Sequence, residues 1–216
     1  MKRISAVLLV TFIISFSTSA GQSQFKLSPS QPKIGDVLTV NYDANAGEAA
    51  LKNSKEITCE ALVLREKLPL LIEVPLKKTN KEWKGDFKME EPTAEVILFR
   101  FRSGDNIDDN NGNSWRVMVY GADGKAIRNA HYMLGTTYMR EDYLGFKSKR
   151  DMDSVKAEIN TEREMYPDNF RWTYLWNLEL RANPKDSLMR AGIKSEFESI
   201  WAKNQNNEEK WWISQF

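Results

Sequence analysis

Acidic and amide side chains are concentrated in one short stretch, Asp108-Asp109-Asn110-Asn111, which is followed by Gly112. Carboxylate and amide oxygens two residues apart are the ligands that a hard cation such as calcium needs. When Gly112 is aligned with the obligatory glycine of a calcium-binding loop, Ile107 falls where the first Asp ligand must be. No Glu closes the loop shortly afterwards. A regular calcium-binding hand is therefore not predicted. Two interpretations remain, an irregular cation site and a turn held by its own Asp and Asn side chains.

The other reactive side chains give little support for catalysis. One His (His131) and one Cys (Cys59) exclude an intramolecular disulfide, a Cys-rich zinc site and a His-rich metal site. Cys59 alternates with apolar residues along a predicted strand, so we expect it to be buried and unreactive. His131 stands near no nucleophile motif. Several Glu residues between 158 and 198 lie among Lys and Arg on predicted helices, where a solvated face is expected. The sequence predicts a non-enzymatic protein without a cofactor or resident metal.

Overall composition excludes further classes of protein. The 216 residues include 31 Lys plus Arg and 30 Asp plus Glu, a formal net charge of +1. Such a balance lacks the basic footprint of a nucleic-acid-binding protein. With 41% hydrophobic and 28% charged residues, the composition is that of a folded globular protein.

The first twenty residues have the pattern of a secretory signal peptide. Lys2 and Arg3 precede an apolar stretch from Ile4 to Phe16, and small residues end at Ala20. The apolar stretch is shorter than a transmembrane helix requires. We therefore expect residues 1–20 to be removed and the mature protein to be periplasmic or secreted, without a membrane anchor.

Residues 22–135 are predicted to form an immunoglobulin-like antiparallel β-sandwich. Apolar residues recur there at period two in short runs separated by turn residues. Six or seven such strands in about 105 residues match a sandwich domain. Ala122-Asp123-Gly124-Lys125 is a hairpin signal because Asp-Gly accepts positive φ. The predicted strands are Val37–Tyr42, Ile57–Leu64, Leu70–Lys77, Glu82–Met89, Ala94–Arg102 and Ser114–Tyr120.

A linker is predicted at 136–147, followed by α-helical hairpins at 148–216, so the fold class is α+β in two parts. Ser148 to Asp151 resembles a capping box, and Asp168 and Asp186 are candidate caps of later helices. Helix starts about nineteen residues apart are within the range of solenoid repeats, although no repeat consensus is matched. The chain ends on bulky apolar residues that predict a partner-binding surface, namely Trp211, Trp212 and Phe216.

A resemblance to known families rests on the stretch from Phe99 to Trp115, on Pro32–Val40 and on Trp83. These segments resemble β-sandwich carbohydrate-binding modules of the starch-binding type, in which aromatic rings stack on sugars. The resemblance implies a glycan-binding surface. Its candidate ligand-binding residues are Trp83, Asp108, Asp109, Asn110, Asn111, Trp115 and Tyr120.

A second resemblance concerns the order of the two parts. A β domain followed by Trp-rich helices is similar to the N-terminal region of exported thioredoxin-family proteins of Bacteroidota, whose Cys-x-x-Cys redox domain lies downstream. This sequence has no Cys-x-x-Cys, so the resemblance implies architecture and compartment only. The leading hypothesis is an exported binding or scaffold protein whose partner is a thioredoxin-like domain or another protein. A glycan-binding module is the alternative.

Overall fold

A computed structural model describes residues 24–46, 50–80, 82–175 and 185–203. The predicted signal peptide at 1–20 and the predicted partner-binding residues Trp211, Trp212 and Phe216 lie outside these ranges. Within them the protein is α+β, with a curled antiparallel sheet and a set of helices. None of the described helices combines the length and the apolarity of a membrane span.

Strands and helices alternate only in the second half of the described chain. The strands are β1 (Phe25–Ser28), β2 (Val37–Tyr42), β3 (Ile57–Arg65), β4 (Leu70–Lys78), β5 (Trp83–Lys88), β6 (Ala94–Ser103), β7 (Asn106–Asp108), β8 (Trp115–Met118), β9 (Asp142–Tyr143) and β10 (Phe146–Lys147). The helices are α1 (Ala130–Met139), α2 (Met152–Met165) and α3 (Ser187–Lys203), and residues 173–175 are also helical. The predicted strands are confirmed to within one or two residues at most ends.

The main sheet follows the order β1-β2-β5-β4-β3-β6-β7, and β8 pairs with β6 beside β7. All of these pairings are antiparallel. The sheet curls so far that Phe25 on β1 lies with its ring centroid 4.9 Å from that of Phe99 on β6. Curling encloses a core to which β1, β2, β3, β4, β5, β6 and β8 all contribute. Cys59 lies in this core and is fully buried, as predicted.

Strands β3 and β6 are buried on both faces. Their inner side chains enter the enclosed core, whereas Leu62 and Leu98 point outward into a second cluster with Met133 and Leu134 of α1. This double burial explains why β3 and β6 read as nearly continuous apolar runs rather than as alternating strands. A helix therefore covers part of the outer face of the sheet, whereas the sequence predicted no helix within this half of the chain.

The predicted division of the chain, at residue 135 and over 136–147, does not coincide with the ends of the observed elements. Helix α1 crosses the expected boundary at residue 135, and the expected linker at 136–147 contains the end of α1 and the β9–β10 hairpin. The difference arises because the apolar residues of α1 face two layers: Met133 and Leu134 contact the sheet cluster, and Tyr132 contacts α2. A helix that is apolar on several sides shows no clear helical period in the sequence.

Two of the predicted helix caps are also different. Asp151 caps α2 by accepting hydrogen bonds from the amides of Asp153 and Ser154, whereas the Ser148 hydroxyl donates to the carbonyl of Thr137. Asp168 binds Arg128 and begins no helix. Asp186 directly precedes α3 and its carbonyl accepts from Arg190, which confirms that cap position.

Candidate functional site

The predicted ligand loop is built around Asp108, which is buried. Its Oδ2 accepts hydrogen bonds from the hydroxyl of Tyr42 at 2.5 Å and from Nε2 of Gln24 at 2.7 Å. Its Oδ1 accepts from the amide of Asn110 at 3.1 Å. Burial, together with the donation to Asp108, raises the pKa of Tyr42 well above its ordinary value. The carboxylate of Asp108 therefore joins the loop to β2.

The other polar side chains of this loop form hydrogen bonds with the backbone of the loop. Asp109 accepts from the amide of Gly112 at 2.8 Å, and the side chain of Asn110 donates to the carbonyl of Asn113 at 3.0 Å. Asn110 and Asn111 adopt positive φ values of 58° and 57°, which Asn tolerates better than most residues. The observed contacts agree with the turn interpretation. In the described part of the chain, no three His, Cys, Asp or Glu side chains are grouped as metal ligands.

The aromatic candidates do not form an open face. Trp83 and Trp115 are each 5% exposed and belong to the enclosed core. The ring of Trp115 lies 5.6 Å from that of Phe25 and 5.3 Å from that of Phe101, measured between centroids. Tyr120 is half-buried beside the 121–125 turn. The two tryptophans point inward because their strands alternate, so the structure does not bring them together as a sugar-stacking platform.

A cluster of buried polar groups lies instead at the start of α1. Glu162 of α2 is 0% exposed and receives three hydrogen bonds. Its Oε1 accepts from the Asn129 amide at 2.9 Å and from Nδ2 of Asn169 at 2.5 Å, and its Oε2 accepts from the Tyr132 amide at 3.3 Å. Asn129 has a φ of 72° and makes no capping hydrogen bond with its own side chain. Glu162 thus caps α1 from another helix.

A second buried carboxylate, Glu95 of β6, lies beside this cap and is 4% exposed. Its Oε1 lies 3.3 Å from Nη1 of Arg171, and its Oε2 makes no hydrogen bond of ordinary geometry within the described residues. Burial raises the pKa of Glu95 to about 7, although the charge of Arg171 and the Asn129 side chain both act to lower it. We call Glu95, Asn129, Glu162, Asn169 and Arg171 the α1 N-terminal cluster.

One further pair joins α1 to α2. Nδ1 of His131 is 2.5 Å from Oε2 of Glu158, and both side chains are largely buried between α1 and α2. The sequence around His131 gave no sign of this partner, because Glu158 is 27 residues away in the chain. Glu158 and Glu162 were among the glutamates expected on a solvated face, and this expectation is wrong for Glu162 because that side chain is enclosed by α1 and residue 169.

The opposite end of α1 meets a positive charge. Arg116 of β8 donates from Nε to the Thr137 hydroxyl at 3.1 Å, and its Nη2 donates to Asn113 at 2.8 Å and to Ser148 at 2.5 Å. The guanidinium lies 4.8 Å above the centroid of the Tyr138 ring. Burial lowers the pKa of Arg116. An arginine therefore lies where the helix dipole is negative.

Both ends of α1 are thus neutralised by residues from other elements. Helix α1 has no acidic residue in its first turn and no basic residue in its last turn. A buried helix end without partners would leave unsatisfied amides or carbonyls. Glu162 and Arg116 provide the missing charges. The only sequence signal for them was the absence of caps in the 129–140 segment itself.

Comparisons with known proteins add no assignment. No family model, no curated protein and no solved structure matches this chain.

Proposed function

We propose that this chain is an exported, non-enzymatic binding or scaffold protein in which the β domain acts as a rigid base for the helical region. We further propose that the β domain is an immunoglobulin-like sandwich. In that interpretation one layer contains β1, β2 and β5 and the other contains β4, β3, β6 and β8, with β4 joining the layers at Lys77 and Lys78. The observed strand order and the enclosed core support it.

The observation that carries the proposal is the position of α1 between the sheet and the helices. Met133 and Leu134 pack on Leu62 and Leu98, whereas Tyr132 packs with Val155 and Ile159 of α2. Glu162 and Arg116 hold the two ends of the same helix. Helix α1 is therefore fixed on both faces and at both ends, which is what a base for a presented surface requires.

Polar contacts extend this base to the residues that follow α2. Arg128 binds both the carboxylate and the carbonyl of Asp168, at 2.7 and 3.0 Å. The hydroxyl of Tyr166 donates to the carbonyl of Ala126 at 2.7 Å. The residues that follow α2 are thus connected at two positions to the segment between β8 and α1. A partner bound on the helices would be held in a defined orientation to the β domain.

The partner that we propose is a thioredoxin-like domain or protein. Photo-crosslinking in the exporting cell tests this assignment. A photoreactive residue at Trp201 of α3, which is 46% exposed, is compared with one at Leu68 in the β3–β4 turn, which is 82% exposed. We expect crosslinks to a thioredoxin-fold protein from position 201 and none from position 68. Equal crosslinking from both sites, or none from either, would contradict the proposal.

Export is tested separately. We expect the N-terminal sequence of the protein recovered from the periplasm or the medium to begin after Ala20. A protein that keeps residues 1–20 and stays in the cytoplasm would refute the exported location.

A further inference from the structure

The α1 N-terminal cluster contains two buried carboxylates but has one arginine at its centre. The carboxylate of Glu162 accepts hydrogen bonds from the amides of Asn129 and Tyr132 and from the side chain of Asn169. Glu95 therefore lies beside Arg171 in a region that also contains the carboxylate of Glu162. The contact from Glu95 to Arg171 is 3.3 Å, longer than a strong charged hydrogen bond.

Arg171 belongs to the segment 166–175, which packs across the cluster and which we call the docking segment. The segment is attached through Asn169, which donates to Glu162 at 2.5 Å and to Oδ1 of Asn129 at 2.9 Å. Trp172 and Leu175 are buried against α1 and α2. Removing this segment from the sheet would expose Glu95 to water.

We propose that the packing of the docking segment on the sheet depends on pH. The segment is bound most tightly when Glu95 is protonated, and it opens more readily when Glu95 is ionised.

The direction follows from the groups that face Glu95. Arg171 favours the charged carboxylate, whereas Glu162 of α2 and Glu66 in the β3–β4 turn disfavour it. Tyr132 of α1 also faces Glu95, and its phenol keeps its proton because burial raises its pKa to about 12. Asn129 is neutral at every relevant pH. Desolvation outweighs the single arginine, so the docked state binds a proton more tightly than a solvated glutamate does.

The size of the effect comes from linkage. The pKa of Glu95 rises from an ordinary value of 4.5 to about 7 in the docked state. If an opened segment returns Glu95 to water, the opening equilibrium rises roughly 70-fold between about pH 5 and about pH 8. Nearly all of the change falls between the two pKa values.

Native-state amide exchange by NMR measures this opening. The amides of Asn169, Thr173 and Leu175 are suitable because each donates a backbone hydrogen bond within the docking segment. After correction for intrinsic exchange rates, we expect their protection to fall by several tens of fold between about pH 5 and about pH 8, with most of the fall below pH 7. Amides of β3 and β6 exchange through global unfolding, so they should stay better protected than the docking segment at every pH, which distinguishes opening of the segment from unfolding of the whole protein.

Two variants complete the test. Glu95→Gln removes the titration, so protection in the docking segment should stay high and independent of pH. Glu90→Gln, an exposed carboxylate five residues away, should behave like the wild type. Protection that is independent of pH in the wild type, or a pH dependence that survives in Glu95→Gln, would overturn the proposal. Should Glu95→Gln not fold, carbon-detected titration of the wild-type Glu95 carboxyl decides the question, and a midpoint near 4.5 would overturn it.

Discussion

Removal of the Glu162 carboxylate is the sharpest test of how α1 is held. Glu162→Ala leaves two backbone amides and one side-chain amide without their acceptor, in a place that is 0% exposed. Each buried donor left unsatisfied costs about 1 to 3 kcal/mol. Because neighbouring losses are not additive and water can enter an enlarged site, we expect a loss of about 3 to 5 kcal/mol in the free energy of unfolding.

Glu162→Gln removes the negative charge of this side chain but keeps nearly the same shape. The carbonyl oxygen of Gln can replace Oε1 and keep the bonds from Asn129 and Asn169, but its NH₂ group then faces the Tyr132 amide at about the 3.3 Å of the present contact. One bond is lost and two donors meet, so we expect a loss of about 2 kcal/mol. The Gln variant should therefore lie between the wild type and the Ala variant.

Urea unfolding followed by far-UV circular dichroism measures both changes. Glu164→Gln is the matched control, since Glu164 lies two residues away on the same helix and is exposed; its effect should stay within about 0.5 kcal/mol. If Glu162→Ala were no more harmful than Glu164→Gln at an unchanged m-value, the capping role of Glu162 would be refuted.

Three further predictions follow from the same contacts. Trp83→Ala should cost about 3 to 5 kcal/mol of stability because the ring is in the core; a variant of unchanged stability but weaker retardation in α-glucan affinity gels would instead support glycan binding by that ring. Asp108→Asn should cost about 1 to 3 kcal/mol through its bonds to Tyr42 and Gln24, equally with calcium or with a chelator, and a calcium-dependent difference in Tm would indicate a cation site. Glu95 has a pKa raised from 4.5 to about 7 in the folded state. Its stabilising contribution is therefore fully present below about pH 4.5 and is lost between there and about pH 7, by about 3 kcal/mol. Glu95→Gln should remove this loss in urea unfolding near pH 8, and a wild-type stability that is flat across this window would contradict it.

The strands of the β domain could be predicted from sequence because their signals are local. Alternation in β2 and β5, the Asp123-Gly124 turn and the apolar runs of β3 and β6 depend on residues close in the chain. Burial of Cys59 followed from the same alternation. Polar residues in the 108–113 loop were correctly associated with a turn, since Asn and Asp bond to the backbone two or three residues away.

The candidate site was not predictable in the same way. Glu162 meets the Asn129 amide 33 residues earlier in the chain, and Arg171 meets Glu95 at a separation of 76 residues. In the sequence, Glu162 looks like any other helical glutamate between Thr161 and Arg163. Only the packing of α2 on α1 removes it from water and makes its charge useful.

The aromatic residues show the same division. Trp83 and Trp115 were identified from their residue type and order, and these are properties of the chain alone. Whether their rings faced water or the core depended on how far the sheet curled, which is decided by contacts between strands distant in sequence such as Phe25 and Phe99.

By itself, the sequence determined the approximate limits of the longer strands, the position of α2, the start of α3 and the turn at 121–125, because hydrogen-bonding periodicity and turn chemistry act over a few residues. Only the tertiary structure decided that α1 would be shared between the sheet and the helices. It also decided that Glu162 and Arg116 would neutralise the ends of α1, and that Glu95 would be buried with a pKa of about 7. Burial and electrostatic environment are produced by surfaces that meet in space, and no local pattern of residues records which surfaces those will be.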